Sequence, residues 1–304
     1  MQTKSKSKLK GVVVPMITPL TPERMLDEPA VDRVVDFLLA GGVDGIFVLG
    51  TTGEGTAIPT QLRRRLVECV VARVQKRTRV YAGIGDAHPE EIQAGNEFFW
   101  AGVDALVSRP ALNQPLDQMQ SWYERILNGI EGPLVLYNMP ATTKVSIPLE
   151  VVANLLGHPR LAGIKDSENN PQRIEELLKR FGGRPDFSVF IGVGALMEMG
   201  CKLGADGIVP SVGNLVPEVC SRFSLAAGRA DWPAAAGHFA EMNAVAALYQ
   251  KGRNLNESLS ALKAAMHCRG LCSAQVMPPL RKVTEVELEK IRLQMGELHL
   301  LNGQ

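Results

Sequence analysis

The feature that most constrains this chain is a rhythm: short apolar runs of strand length alternate with longer stretches of helical period, eight times between Gly11 and Pro210. The runs are Gly11 to Thr18, Gly45 to Gly50, Val80 to Gly85, Ala105 to Ser108, Pro133 to Asn138, Leu161 to Lys165, Phe187 to Gly192 and Asp206 to Pro210. Between them apolar residues recur at helical spacing, as in Val31, Val34, Val35, Leu38 and Leu39 before the terminating Gly41-Gly42. Strands that are apolar throughout and separated by helices imply a parallel sheet covered on its outer face. Eight such units close most economically into a (β/α)8 barrel of the α/β class. A doubly wound open sheet would satisfy the same alternation, but its usual marker, Gly-x-Gly-x-x-Gly after the first strand, is missing.

The expected layout is a basic flexible tail over 1–10, with Lys4, Lys6, Lys8 and Lys10, then a barrel core over 11–216. Residues 217–304 supply the last barrel helix and a C-terminal helical extension, with patterns around Ala234 to Tyr249, Leu259 to Leu271 and Val286 to Leu300. The whole reads as a TIM barrel with an appended helical segment. Thirty-three basic residues against thirty-two acidic ones argue against a broad nucleic-acid or anionic-membrane surface. No apolar run follows the opening lysines that is long enough for a signal peptide or a spanning helix, so a cytoplasmic place is expected. The cysteines, Cys69, Cys201, Cys220, Cys268 and Cys272, are irregularly spaced and read as buried free thiols. Cys268 and Cys272 lack the second pair or histidine cluster of a zinc site.

In a closed barrel the reactive residues lie at the carboxyl ends of the strands. At the end of the sixth run stands Lys165; a lysine dehydrated there favours its neutral amine, a nucleophile towards carbonyls, although it could also snorkel to water. At the end of the second lies Gly50-Thr51-Thr52-Gly53-Glu54-Gly55, whose freed amides and following helix suit a carboxylate or phosphate, or form a plain tight turn. It lacks the Gly-Lys-Ser/Thr of a nucleotide loop. Tyr137 ends the fifth run, about 4.8 Å across the sheet from the strand of Lys165. It can relay protons or serve as a core tyrosine. Asp166 is expected to cap the next turn or bind loop amides. Gly192 and the Gly207-Ile208-Val209 stretch would let backbone approach a ligand or pack against helices. The histidines form no His-x-x-x-His or Glu-x-x-His group, so a metal-free mechanism is expected.

Together, Gly50-Thr-Thr-Gly-Glu54, Tyr137-Asn-Met-Pro140 and Gly163-Ile-Lys-Asp166 resemble the dihydrodipicolinate synthase / N-acetylneuraminate lyase family of class I aldolases, over about residues 11 to 300. The resemblance implies that Lys165 forms an imine with pyruvate or another 2-oxo acid, without a cofactor, and that Tyr137 donates and accepts protons. It implies that Thr51 and Thr52 hold the pyruvyl carboxylate, with Thr51 also in the hydroxyl relay, and that the enzyme is a homotetramer built from dimers. Two positions depart from the members that make dihydrodipicolinate. Leu112, in Pro110-Ala-Leu-Asn113, stands where they carry a relay tyrosine, and Thr142 stands where they carry a carboxylate-binding arginine. Gly192-Val-Gly-Ala195 also lacks the acidic residues of the sialic-acid lyases. The expectation is an aldolase or dehydratase acting on a 2-keto-3-deoxy-type acid, with a compact, rather apolar distal pocket. The alternatives are 4-hydroxy-tetrahydrodipicolinate synthase with substitutes for those two side chains, and a catalytically degenerate barrel that only binds a 2-oxo acid.

Overall fold

The computed structural model describes residues 8–85 and 87–301. Its elements alternate as β1 (Gly11–Pro15), α1 (Glu28–Ala40), β2 (Gly45–Val48), α2 (Thr60–Val74), β3 (Arg79–Ile84), α3 (Pro89–Ala101), β4 (Ala105–Ser108) and α4 (Met119–Gly129). The second half continues with β5 (Leu134–Asn138), α5 (Pro140–Thr143), α6 (Leu149–Leu155), β6 (Leu161–Asp166), α7 (Pro171–Phe181), β7 (Ser188–Ile191), α8 (Met197–Lys202) and β8 (Gly207–Ile208). Then come α9 (Pro217–Gly228), α10 (Trp232–Gln250), α11 (Leu255–Cys268) and α12 (Glu285–Glu297).

The strands pair in sequence order and all in parallel, and β8 returns to β1 through Gly11 opposite Gly207 and Val12 opposite Ile208, so the sheet closes. Closure explains why the runs read as continuously apolar. Alternate residues face a narrow interior holding Val13, Phe47, Tyr81, Val107, Val135, Tyr137, Phe190 and Val209, while Ile46, Val48, Leu136 and Ile164 face the helical layer. Local chemistry sets the helix starts: Asp27, Asn170 and Asp231 each accept a first-turn amide. Asn254 and Thr284 form full capping boxes with Glu257 and Glu287.

Three details differ from the sequence expectation. The first, second and eighth runs leave the sheet early; β2 stops at Val48 because Leu49 takes a left-handed φ of 61° that no ladder accepts. The short α5 was not foreseen, since four residues are too few to show a period. The described end of the basic tail is packed rather than solvated: Lys8 pairs with Asp206 at 2.6 Å, and Leu9 is buried with the barrel-interior residues. The rest of that expectation, residues 1–7, lies outside the described residues.

Candidate active site

The carboxyl ends of β2, β5 and β6 bring three of the expected residues to one place. Tyr137 and Lys165 are register partners across β5 and β6, and Phe190 is the partner of Lys165 on β7. Strand alternation turns all three inward. Lys165 is 6% exposed, and its Nζ stands 3.9 Å from the centre of the Tyr137 ring and 5.2 Å from that of Phe47. Phe47 and Tyr137 meet edge to face. The amine is thus walled by aromatic rings, where a cation is held by ring faces and a neutral amine is shielded from water. Tyr137 Oη lies 3.3 Å from Thr51 Oγ1, a loose hydrogen bond of the kind that tightens when a substrate seats. Burial pushes the Tyr137 phenol up, but the Lys165 charge and the hydrogen bonds around it outweigh burial and hold it below the ordinary phenol value.

A cavity of about 310 Å³ opens above this group, lined by Thr51, Arg109, Leu112, Tyr137 and Thr142 among others. Lys165 borders a smaller void of about 10 Å³ beneath it, with Tyr81, Phe190 and Val209, and Phe47 and Val107 partition the two spaces. Gly192 is a place where no Cβ fits: one would collide with Ser167 Oγ and stand 2.9 Å from Lys165 Cε. It makes room for the lysine side chain rather than lining the upper cavity. Thr52 lies half-buried beside Thr51 and is not among the cavity-lining residues. Leu112 is 63% exposed at the cavity, and Thr142 donates its hydroxyl to Met139 O at 3.1 Å.

The turn carrying Thr51 is braced from two sides. A Cβ at Gly55 would collide with Leu49 O, so glycine lets the turn fold flat on itself. Thr18 Oγ1 donates to Gly53 O at 2.6 Å. Glu54, at a φ of 56°, accepts from Lys263 Nζ on α11 at 2.6 Å and from Met277 N at 2.7 Å. Burial lowers the Lys263 pKa, against the opposing pull of Glu54. The helix that follows, expected through Leu62 to Val74, runs from Thr60 to Val74, so five residues separate it from Glu54. Backbone amides and the Glu54 brace therefore define the turn, not a helix dipole.

Sequence reasoning missed the scaffold behind the reactive pair. Asn138 and Asp166 follow Tyr137 and Lys165 and so face the other side of the sheet. Asn138 Nδ2 donates to Asp166 Oδ2 at 3.0 Å, Arg173 Nε on α7 donates to the same oxygen at 2.8 Å, and Glu168 N donates to Asp166 Oδ1 at 2.9 Å. Asp166 thus binds the amide two residues on, in the loop that follows it, and also the largely covered guanidinium of Arg173. Burial pushes its carboxyl up, with Arg173 pulling the other way. Alternation alone could have flagged the network: two polar residues directed under a helical layer need partners.

Among the described residues no group of three His, Cys, Asp or Glu side chains could hold a metal ion, and no helix is long and apolar enough to cross a membrane. All five cysteines are free; Cys220 and Cys272 are buried, and Cys69, Cys201 and Cys268 are half-buried.

A closed (β/α)8 barrel with C-terminal helices places this chain among the TIM-barrel proteins. The model of the dihydrodipicolinate synthetase family matches residues 8–297, and the chain belongs to that family. It is 33% identical over 220 residues to the 4-hydroxy-tetrahydrodipicolinate synthase of Methanothermobacter thermautotrophicus, covering 71% of this chain and 78% of that one. With the enzyme of the same name from Methanosarcina barkeri it shares 27% identity over 296 residues, 96% of this chain and 99% of the other. Among solved structures, dihydrodipicolinate synthase from Bacteroides thetaiotaomicron matches with a TM-score of 0.90 at 30% identity, over 96% and 99% of the two chains. A prophage protein of the same family from E. coli K12, solved in complex with pyruvate, matches at 0.88 and 25% identity, again over 96% and 99%. Enzymes of the family are metal-independent class I pyruvate-dependent lyases.

Proposed function

We propose that Lys165 forms an imine with pyruvate or a related 2-oxo acid and that the enzyme then makes or breaks a carbon-carbon bond beside it, or eliminates water there. The observation that carries this reading is the register pairing of Lys165 with Tyr137, whose hydroxyl meets Thr51. The amine adds to the keto carbon, and the phenol passes a proton to the carbinolamine oxygen, which departs as water. The protonated imine withdraws electrons, so loss of a proton or of an aldehyde from the neighbouring carbon leaves an enamine. Thr51 and Thr52 hold the carboxylate, Gly192 and Val209 shape the space around the lysine, and Leu112 and Thr142 border the distal pocket. No added cofactor enters the scheme.

A 2-keto-3-deoxy-type acid is the preferred substrate class. Its support is the departure at Leu112, which has no proton to relay, and at Thr142, whose hydroxyl is engaged by its own backbone. Synthesis of 4-hydroxy-tetrahydrodipicolinate is the second reading, supported by the names of the relatives. A homotetramer in the cytoplasm completes the proposal, supported by the exposed Leu112 at the cavity and Leu116 four residues on, and by the free thiols.

Borohydride reduction in the presence of pyruvate, followed by peptide mass mapping, tests the scheme. A reduced pyruvyl adduct on Lys165 is expected. A folded protein that carries no adduct there would overturn the mechanism, and an adduct without turnover of any aldehyde or 2-keto-3-deoxy acid would leave a binding barrel.

A further inference from the structure

Arg109 is the first residue beyond β4, and the inward alternation of Ala105 and Val107 carries its side chain into the cavity above Tyr137. The other charged side chains of that cavity are matched: Glu54 by Lys263 at 2.6 Å and Arg63 by Glu91 at 2.8 Å. Arg109 is half-buried and, among the described residues, makes no hydrogen bond or ion pair through its guanidinium. Burial pulls its pKa below the ordinary guanidinium value, and the Tyr137 and Tyr123 phenols pull the other way. A partly dehydrated guanidinium with five unused donors is costly unless an anion meets it, and its planar fork suits a carboxylate. At about 310 Å³ the cavity is at the small end for ligand sites, so an anion bound there belongs to a molecule that also reaches Tyr137.

We propose that Arg109 binds a second carboxylate, at the end of the substrate remote from the pyruvyl group, and so directs this enzyme to 2-oxo acids and aldehydes that carry a distal carboxylate. The inference rests on the Schiff-base reading and narrows its substrate class. It also supplies a cation just beyond β4 for a pocket that has threonine at position 142. In the condensing direction the enamine carbon bonds to the aldehyde carbon, the carbonyl oxygen gains a proton from Tyr137, and water releases the 4-hydroxy-2-oxo acid and the free Lys165 amine. Arg109 takes no part in these bond changes; it fixes the far end of the aldehyde.

The test uses reductive trapping, which needs no knowledge of the natural aldehyde. Half-saturating concentrations for borohydride trapping on Lys165 would be measured for 2-oxoglutarate and 2-oxoadipate, and for their uncharged-tail counterparts 2-oxopentanoate and 2-oxohexanoate. Each protein's pyruvate value serves as reference. The intact enzyme should prefer at least one dicarboxylate over its counterpart by roughly 10- to 100-fold, the worth of a charge-assisted contact. Arg109→Met should abolish that preference and Arg109→Lys should restore part of it, with unchanged thermal melting. A preference that survives in Arg109→Met, or no preference in the intact enzyme, would overturn the assignment while leaving the imine mechanism standing. So would an equal loss for pyruvate and both acid classes, since Arg109 would then hold the pyruvyl carboxylate. Absence of any pyruvate adduct would instead remove the imine mechanism and this inference with it.

Discussion

On Tyr137 two influences are opposed: burial resists ionisation of the phenol, and the neighbouring Lys165 and Thr51 favour it, with the second side prevailing. A phenol held below its ordinary pKa parts with and regains a proton more readily near neutrality, which is what a relay between carbinolamine, alkoxide and water needs. Tyr137→Phe keeps the ring beside Lys165 and removes only the hydroxyl. Turnover should fall by roughly 10² to 10⁴, while reductive trapping of pyruvate on Lys165 persists. Steady-state kinetics and trapping on one preparation check this, and undiminished turnover would take the phenol out of the reaction. These residues were legible in the chain because each ends a strand-like run, and their neighbours form three short motifs in order. Arg109 was not, because a single arginine before a proline looks like ordinary loop chemistry until the barrel turns it inward.

The β5 and β6 ends work as one element because their outward side chains are tied together. Asn138, Asp166, Glu168 and Arg173 form a network around the fully buried Asp166 on the far side of the sheet from Tyr137 and Lys165, so the inward pair inherits its spacing from residues that never meet substrate. Removing one partner of a buried ion pair costs far more than the pair contributes, because the other charge is stranded. Arg173→Met should therefore destabilise the protein by about 3–5 kcal/mol, read as a lowered urea midpoint at unchanged slope. A shift under a quarter of that would mean that the Glu168 amide and the Asn138 side chain suffice to hold Asp166. The chain gave little warning of this network: Arg173 stands on a helix whose amphipathic pattern assigns it simply to the polar side. The same limitation hid α5, which is too short for periodicity, and the early end of β2, which depends on one left-handed residue, Leu49.

Across the whole molecule, the helical extension is a working part of the barrel rather than an appendix. Its α11 sends Lys263 to Glu54, the two side chains being 1% and 3% exposed, and thereby fixes the turn that presents Thr51. Lys263→Met should lower stability by about 3–5 kcal/mol and also slow pyruvate trapping, because the stranded Glu54 loosens that turn. Adding Glu54→Gln should recover much of the stability, measured by a double-mutant cycle in urea. If the two losses simply add, the pair is not coupled. The barrel architecture followed from the eightfold rhythm, yet this tie did not, since its ends are 209 positions apart and neither motif nor period links them. That separation has a consequence for biosynthesis. A ribosome adding about 5–20 residues per second finishes the Thr51 turn roughly 10 to 40 s before it makes Lys263. During that interval the emerging chain holds the turn's sequence without its anchor, so completion of the site falls among the last events of synthesis.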